Sequence, residues 1–184
     1  YAELARVVDL VPPDRRIGIQ IRMAEVELAR GNQAGALTLY APLVADGALD
    51  DARLAAVEEL ATAEGATPLL RDVLERRVAQ ASDPDARATL LERLGTVLAE
   101  RADAPEAAAA AWMEAARLRE TDASDPSQAR ALYEAVLRVS PSNHDAADRL
   151  VELYATTNEW KRVRAAFDVL VAGATADVDL VTRL

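Results

Sequence analysis

Apolar residues recur along the chain every three or four positions. Ile17, Ile21, Ala24 and Leu28 share one helix face, and so do Leu91, Leu94 and Leu98. Nowhere do β-branched and aromatic residues alternate as a strand requires. Start and stop signals bound the runs. Thr67-Pro68, Asp83-Pro84 and Asp125-Pro126 each join a capping side chain to a proline at a first-turn site that needs no N–H. Gly31, Gly47, Gly65, Pro141 and Gly173 mark ends. These signals predict helices over 2–10, 14–30, 33–45, 50–64, 67–80, 85–101, 105–120, 126–139, 143–156, 159–172 and 176–184. Connections of a few residues make neighbouring helices antiparallel. No helix carries enough apolar surface to form a central core, so the expected fold is a row of helical hairpins, each covering the next.

Composition agrees. The chain has 184 residues, with 41 alanines, 7 glycines and only seven aromatic residues. Alanine is the best helix former, and the class expected is all-α. Net charge is −10, from 31 acidic and 21 basic residues. That argues against a nucleic-acid binder, which needs a basic face to displace counterions, and it disfavours an anionic membrane surface. No apolar run approaches the roughly 20 residues of a membrane span. Cysteine is absent, which removes disulfides and thiolate chemistry and leaves the compartment open. Lys161 is the only lysine, and the arginine and alanine bias suggests a high-GC genome. The chain starts at Tyr1. It is expected to be a piece of a longer bacterial protein, with cytoplasm preferred to periplasm.

A small residue and a ring keep a fixed distance. Ala36 stands four before Tyr40, and Ala129 four before Tyr133 in "ARALYEAVLRVSPSN"; a ring returns 34 residues later at Phe167 in "VRAAFDVLV". Residues at i and i+4 stack on one helix face, so the small one admits a neighbouring helix while the ring fills the space beside it. This pattern resembles the tetratricopeptide repeat, a 34-residue helix–turn–helix unit. Leu150, Tyr154, Trp160 and Phe167 carry the likeness in 144–177, and Ala129, Tyr133 and Pro141 in the half-unit before. Gly31, Ala36 and Tyr40 carry it in 17–50, Gly65 and Leu74 in 51–83, and Leu94-Gly95 and Trp112 in 88–121. The resemblance implies a right-handed α–α superhelix of about 10–11 helices, a single array over 1–184. Ring-type positions run Tyr40, Leu74, Trp112, Tyr133 and Phe167, so the spacing departs from 34 after Leu74. An irregular junction is expected near 102–126.

Chemistry is sparse. One histidine, His144 at a helix start, makes no zinc site without cysteine. Asp50-Asp51 sits at a helix start, where negative charge suits the dipole. Glu58-Glu59 is expected on a solvated face. Neither pair has the cleft that two-carboxylate catalysis needs. No glycine-rich phosphate loop occurs. Gly95, inside a helix, is read as a site of close helix approach. Trp112 and Trp160 are ligand anchors or core rings, and repeat spacing prefers core. No catalytic residue, cofactor or metal is expected, and the chain is not expected to be an enzyme.

In the family it resembles, the first helix of each unit lines a concave groove through positions 2, 5, 9 and 12. Carried over, these are Gly18, Ile21, Glu25 and Leu28; Ala52, Ala55, Glu59 and Thr62; Thr89, Glu92, Thr96 and Ala99; and Asp145, Asp148, Glu152 and Ala155. Asp148 and Glu152 would repel a peptide's terminal carboxylate. Ile21, Glu25, Glu59, Glu92, Asp148 and Glu152 are therefore the expected contacts of a partner's basic segment. Ordinary solvated charge is the plainer reading of the same residues. The expected function is a protein-interaction scaffold. The alternative is a spacer, or a module that self-associates through its repeat ends.

Overall fold

The computed structural model describes residues 12–121 and 126–181. Nine helices and no strand occur among the described residues. The chain divides into two compact units, one up to Gln80 and one from Ala81. The expected helix over 2–10 and the cap at Asp125 lie outside the described residues.

The first unit holds α1 (Pro13–Ala29), α2 (Gln33–Ala45), α3 (Asp51–Ala63) and α4 (Thr67–Gln80). α1 packs on α2, α3 on α4, and α2 on both α3 and α4. Three of these helices end alike. Gly31, Gly47 and Gly65 take positive φ of 74°, 67° and 67°. In each case the next residue's N–H reaches back to a carbonyl in the last turn: Asn32 to Glu27, Ala48 to Leu43, Ala66 to Ala61, each at 2.9 Å. This is the glycine-closed turn that satisfies orphan carbonyls. Side-chain caps open the following helices: Asn32 accepts from Gly35 N–H at 3.1 Å, and Asp50 from Arg53 N–H at 2.9 Å. α4 begins at Thr67 itself, the residue expected to cap it. The core between these helices is Ala24, Ala36, Tyr40, Leu43, Val44, Leu54, Val57, Ala61, Val73 and Leu74, all buried.

The second unit holds α5 (Pro84–Glu100), α6 (Pro105–Thr121), α7 (Pro126–Val139), α8 (His144–Thr156) and α9 (Trp160–Val181). α6 packs on both α5 and α7, α7 on α8, and α8 on α9. Asp83 caps α5 through Ala86 N–H at 2.8 Å, and Asn143 caps α8 through Ala146 N–H at 3.0 Å. Asn158, at φ 59°, closes α8 where the other unit uses glycine; Glu159 N–H reaches the Tyr154 carbonyl at 3.0 Å. A core of Ala109, Met113, Ala116, Ala129, Tyr133, Val136, Ala146, Leu150 and Tyr154 runs from α6 to α8, and Ala166 of α9 closes it. Gly95 is read correctly as a close approach. A Cβ built there would run into the five-membered ring of Trp112. That ring's N–H donates to the Glu92 carbonyl at 3.2 Å.

The small-residue and ring pairs have the predicted meaning twice. Ala36 and Tyr40 are buried together, and Ala129 and Tyr133 are both fully buried. The third ring differs: Phe167 is 53% exposed, and Trp160, expected in the core, is 64% exposed. Both rings stand on α9, whose packing among the described helices is on α8. Gly173 does not end a helix. The segments expected over 159–172 and 176–184 are one helix through Val181. A lone glycine costs a helix only about 1 kcal/mol, and no proline follows to stop it. Glu58 is also corrected: it is buried, not solvated.

Candidate partner-binding surfaces

The first helices of the hairpins were expected to present an acidic stripe. α1 places Ile21 and Glu25 one turn apart; Ile21 is half-buried and Glu25 exposed. Glu25 also faces the neighbouring helix, since burial first and the Glu25 charge second push the Tyr40 phenol above its usual range. Glu59 is exposed on α3, and Asp148 and Glu152 are exposed one turn apart on α8.

Ion pairs divide these carboxylates into two sets. Glu92, half-buried on α5, accepts from Arg119 Nε of α6 at 2.8 Å. The same guanidinium donates to Thr89 Oγ1 at 2.9 Å and pairs with Asp85. One arginine thus holds the side chains at two of the expected contact positions on α5, together with a third a turn earlier. Glu152 accepts from Arg149 at 2.7 Å, and Arg149 also reaches Glu120 of α6 at 2.6 Å. The Glu120 bond leads the causes that raise Arg149's pKa. Glu25, Glu59 and Asp148 enter no ion pair among the described residues.

Several charged residues that sequence reasoning missed build the interior. Glu58 is 1% exposed and pairs with Arg77 of α4, whose Nε also reaches Asp51 at 2.7 Å. That Arg77 hydrogen bond holds the Asp51 carboxyl below the ordinary range, against the smaller opposing effect of burial. Glu27, also buried, accepts from Asn32 Nδ2 at 2.5 Å in the α1–α2 turn. A signal for Glu58 was present: Leu54 and Ala61, four before and three after, face the core. No local spacing pointed to Arg77, 19 residues on.

A second surface was not anticipated. A cleft of about 310 Å³ opens between α7, α8 and α9. Leu137, Leu150, Ala165 and Ala166 form its apolar walls. At its polar edge the Tyr154 hydroxyl donates to Glu134 at 2.7 Å, and Arg162 lies over the Tyr154 ring at 5.7 Å and 3.4 Å from Glu134. Burial first, and the Glu134 bond second, push the Tyr154 phenol up to about 12. Arg130 of α7 pairs with Glu159 at 2.6 Å, in the turn before α9.

No cluster of metal-ligating side chains occurs among the described residues, and His144 is an exposed residue at the start of α8. No helix among the described residues is long and apolar enough to cross a membrane.

No protein-family model matches the chain, and no curated protein matches it by sequence. Two solved structures are similar. MamA is 14% identical, with 85% of this chain and 96% of that one covered and a TM-score of 0.38. YrrB, described as a TPR protein with an unusual peptide-binding site, is 15% identical, with 92% and 91% covered and a TM-score of 0.37. At these TM-scores neither likeness bears on partners or mechanism.

Proposed function

We propose that the chain is a non-enzymatic protein-interaction scaffold whose first helices offer unpaired carboxylates to a basic segment of a partner. The observation that carries this reading is the contrast between charges already spent and charges left over. Glu92 and Glu152 are held by arginines of the chain, whereas Glu25, Glu59 and Asp148 are exposed and held by none among the described residues. Exposed charge gives selectivity and association rate more than affinity, so binding should be steep in salt. The hairpin phase slip near 102–126 belongs to the same proposal, as a break in the contact spacing between first helices.

The test is affinity capture from the source lysate at low and high salt, with wild type and with Glu25→Gln/Glu59→Gln/Asp148→Asn. A partner with a basic segment, lost at high salt and lost to the variant, is expected. A partner set indifferent to both changes would remove the proposal.

A second reading, self-association, is favoured by a specific feature. Trp160, Phe167 and Val171 expose 64%, 53% and 45% of their surface along one flank of α9. If this flank joins copies, the mass in sedimentation should rise with concentration, and Phe167→Glu should abolish the rise. A constant monomer mass would remove this reading.

A further inference from the structure

We infer that the exposed flank of α9 is a two-fold interface, on which a second copy of this chain lays its own α9 antiparallel. The inference rests on the self-association reading above and gives it a geometry. Trp160, Arg164, Phe167 and Val171 follow one another at steps of four, three and four residues, the spacing of a single coiled-coil seam. All four are exposed, and the two rings are the most exposed large apolar side chains among the described residues. Ala166, the α9 residue that closes the core, lies about 100° or more round the helix from each of them. The stripe is therefore separate from the face that packs on α8.

Charge selects the occupant. Where its side chains are described, α9 carries four charged residues: Lys161, Arg162, Arg164 and Asp168. Arg162 is held by the unit's own acids, Glu134 and Glu159. Lys161, Arg164 and Asp168 are exposed and enter no ion pair among the described residues, although Arg164 and Asp168 stand at the i, i+4 distance that a pair can use.

Reversing the stripe about its midpoint gives each of these groups a counterpart. Trp160 comes opposite Val171 of the second copy, and Arg164 opposite its Phe167, a guanidinium over a ring. Asp168 stands one position past that ring, beside the same guanidinium. Lys161 and Asp168 are seven residues apart, so about 20° apart round the helix, and flank one side of the stripe. Reversal runs each Lys161 along the other copy's Asp168. A parallel pair would instead set Arg164 against Arg164 in the seam, where like charges repel. The stripe thus complements its own reverse, which the surface for an unrelated partner has no need to do.

The probe is the chain itself. Its mass in sedimentation is expected to reach a plateau at twice the monomer mass, because a two-fold contact uses up both flanks. Phe167→Glu is expected to weaken the dimer about tenfold or more. Lys161→Glu should weaken it about threefold or more, and Lys161→Glu/Asp168→Lys should restore it. Cysteine is absent, so disulfide formation reads the orientation. Trp160→Cys and Val171→Cys proteins are oxidised separately and as a mixture. Only the mixture is expected to cross-link, and each mixed dimer keeps one native Trp160–Val171 contact. Every substituted side chain is exposed, and circular dichroism confirms that the variants fold. Cross-linking of the Trp160→Cys protein with itself, a charge swap that fails to restore the dimer, or a mass that climbs past the dimer would overturn the antiparallel seam and leave self-association standing. A monomer mass at every concentration would remove both.

Discussion

At Gly95, an added methyl group sets two effects against each other. Alanine raises helix propensity by about 1 kcal/mol. The same Cβ collides with the Trp112 ring, which is held by its bond to the Glu92 carbonyl, and overpacking costs about 1–3 kcal/mol. Gly95→Ala is expected to lower stability by up to about 2 kcal/mol, with relief when Trp112→Leu is added. Urea midpoints check this; a Gly95→Ala protein more stable than wild type would contradict the close approach. Arg77 is the other decisive residue. Its removal breaks the pair with the buried Glu58 carboxylate, a loss of about 3–5 kcal/mol. It also frees Asp51, whose pKa Arg77 depresses. A depressed acid contributes stability above its unfolded pKa, about 4, and loses it as pH falls through the lower folded value. Arg77→Ala should therefore flatten the acid limb of stability below about pH 4 as well as lowering the whole curve. An unchanged acid limb would show that the pair does not hold in solution. Gly95 was legible because a glycine inside an apolar helix has few reasons to be there. Arg77 was not, because its partners are 19 and 26 residues away and only packing brings them together.

Elements were legible where backbone chemistry is local. Gly31, Gly47 and Gly65 adopt the left-handed turn that their type favours, and Asp83 caps as its Asp-Pro pair predicts. Asn158 performs the glycine's task without being one, and no sequence signal distinguished it from other polar residues. Gly173 shows the converse, a glycine that continues a helix. The two backbone states give opposite signs on substitution. Gly173→Ala is expected to stabilise by up to about 1 kcal/mol if α9 is continuous, because alanine restricts the unfolded chain and favours the helix. A drop in melting temperature would restore a left-handed stop at that position. Gly65→Ala should show that opposite behaviour. A Cβ there meets open space, so its destabilisation, about 1 kcal/mol, isolates the cost of the positive φ. The exposed flank of α9 was misread for a reason at this scale. Repeat spacing identifies a ring position on a helix, not how far neighbouring helices cover it.

Across the molecule, the all-α hairpin fold could be read from periodicity and turn chemistry, because each hairpin repeats the same short-range rules. The candidate surfaces could be read only in part. Sequence position put Glu25, Glu59, Glu92, Asp148 and Glu152 on first helices. It could not tell that Arg119 and Arg149, 27 and three residues from their respective partners Glu92 and Glu152, already occupy two of them. Nor could it foresee the cleft, whose walls come from three helices. The scaffold account rests on the carboxylates left over, and a direct titration tests it. A labelled lysine-rich peptide is titrated against wild type and against Glu25→Gln/Glu59→Gln/Asp148→Asn, at about 50 mM and about 300 mM salt. The account predicts saturable binding to wild type at low salt, weakened about tenfold or more both by salt and by the variant, with the variant's residual binding nearly salt-independent. Equal affinity for the two proteins, with the same salt dependence, would contradict it.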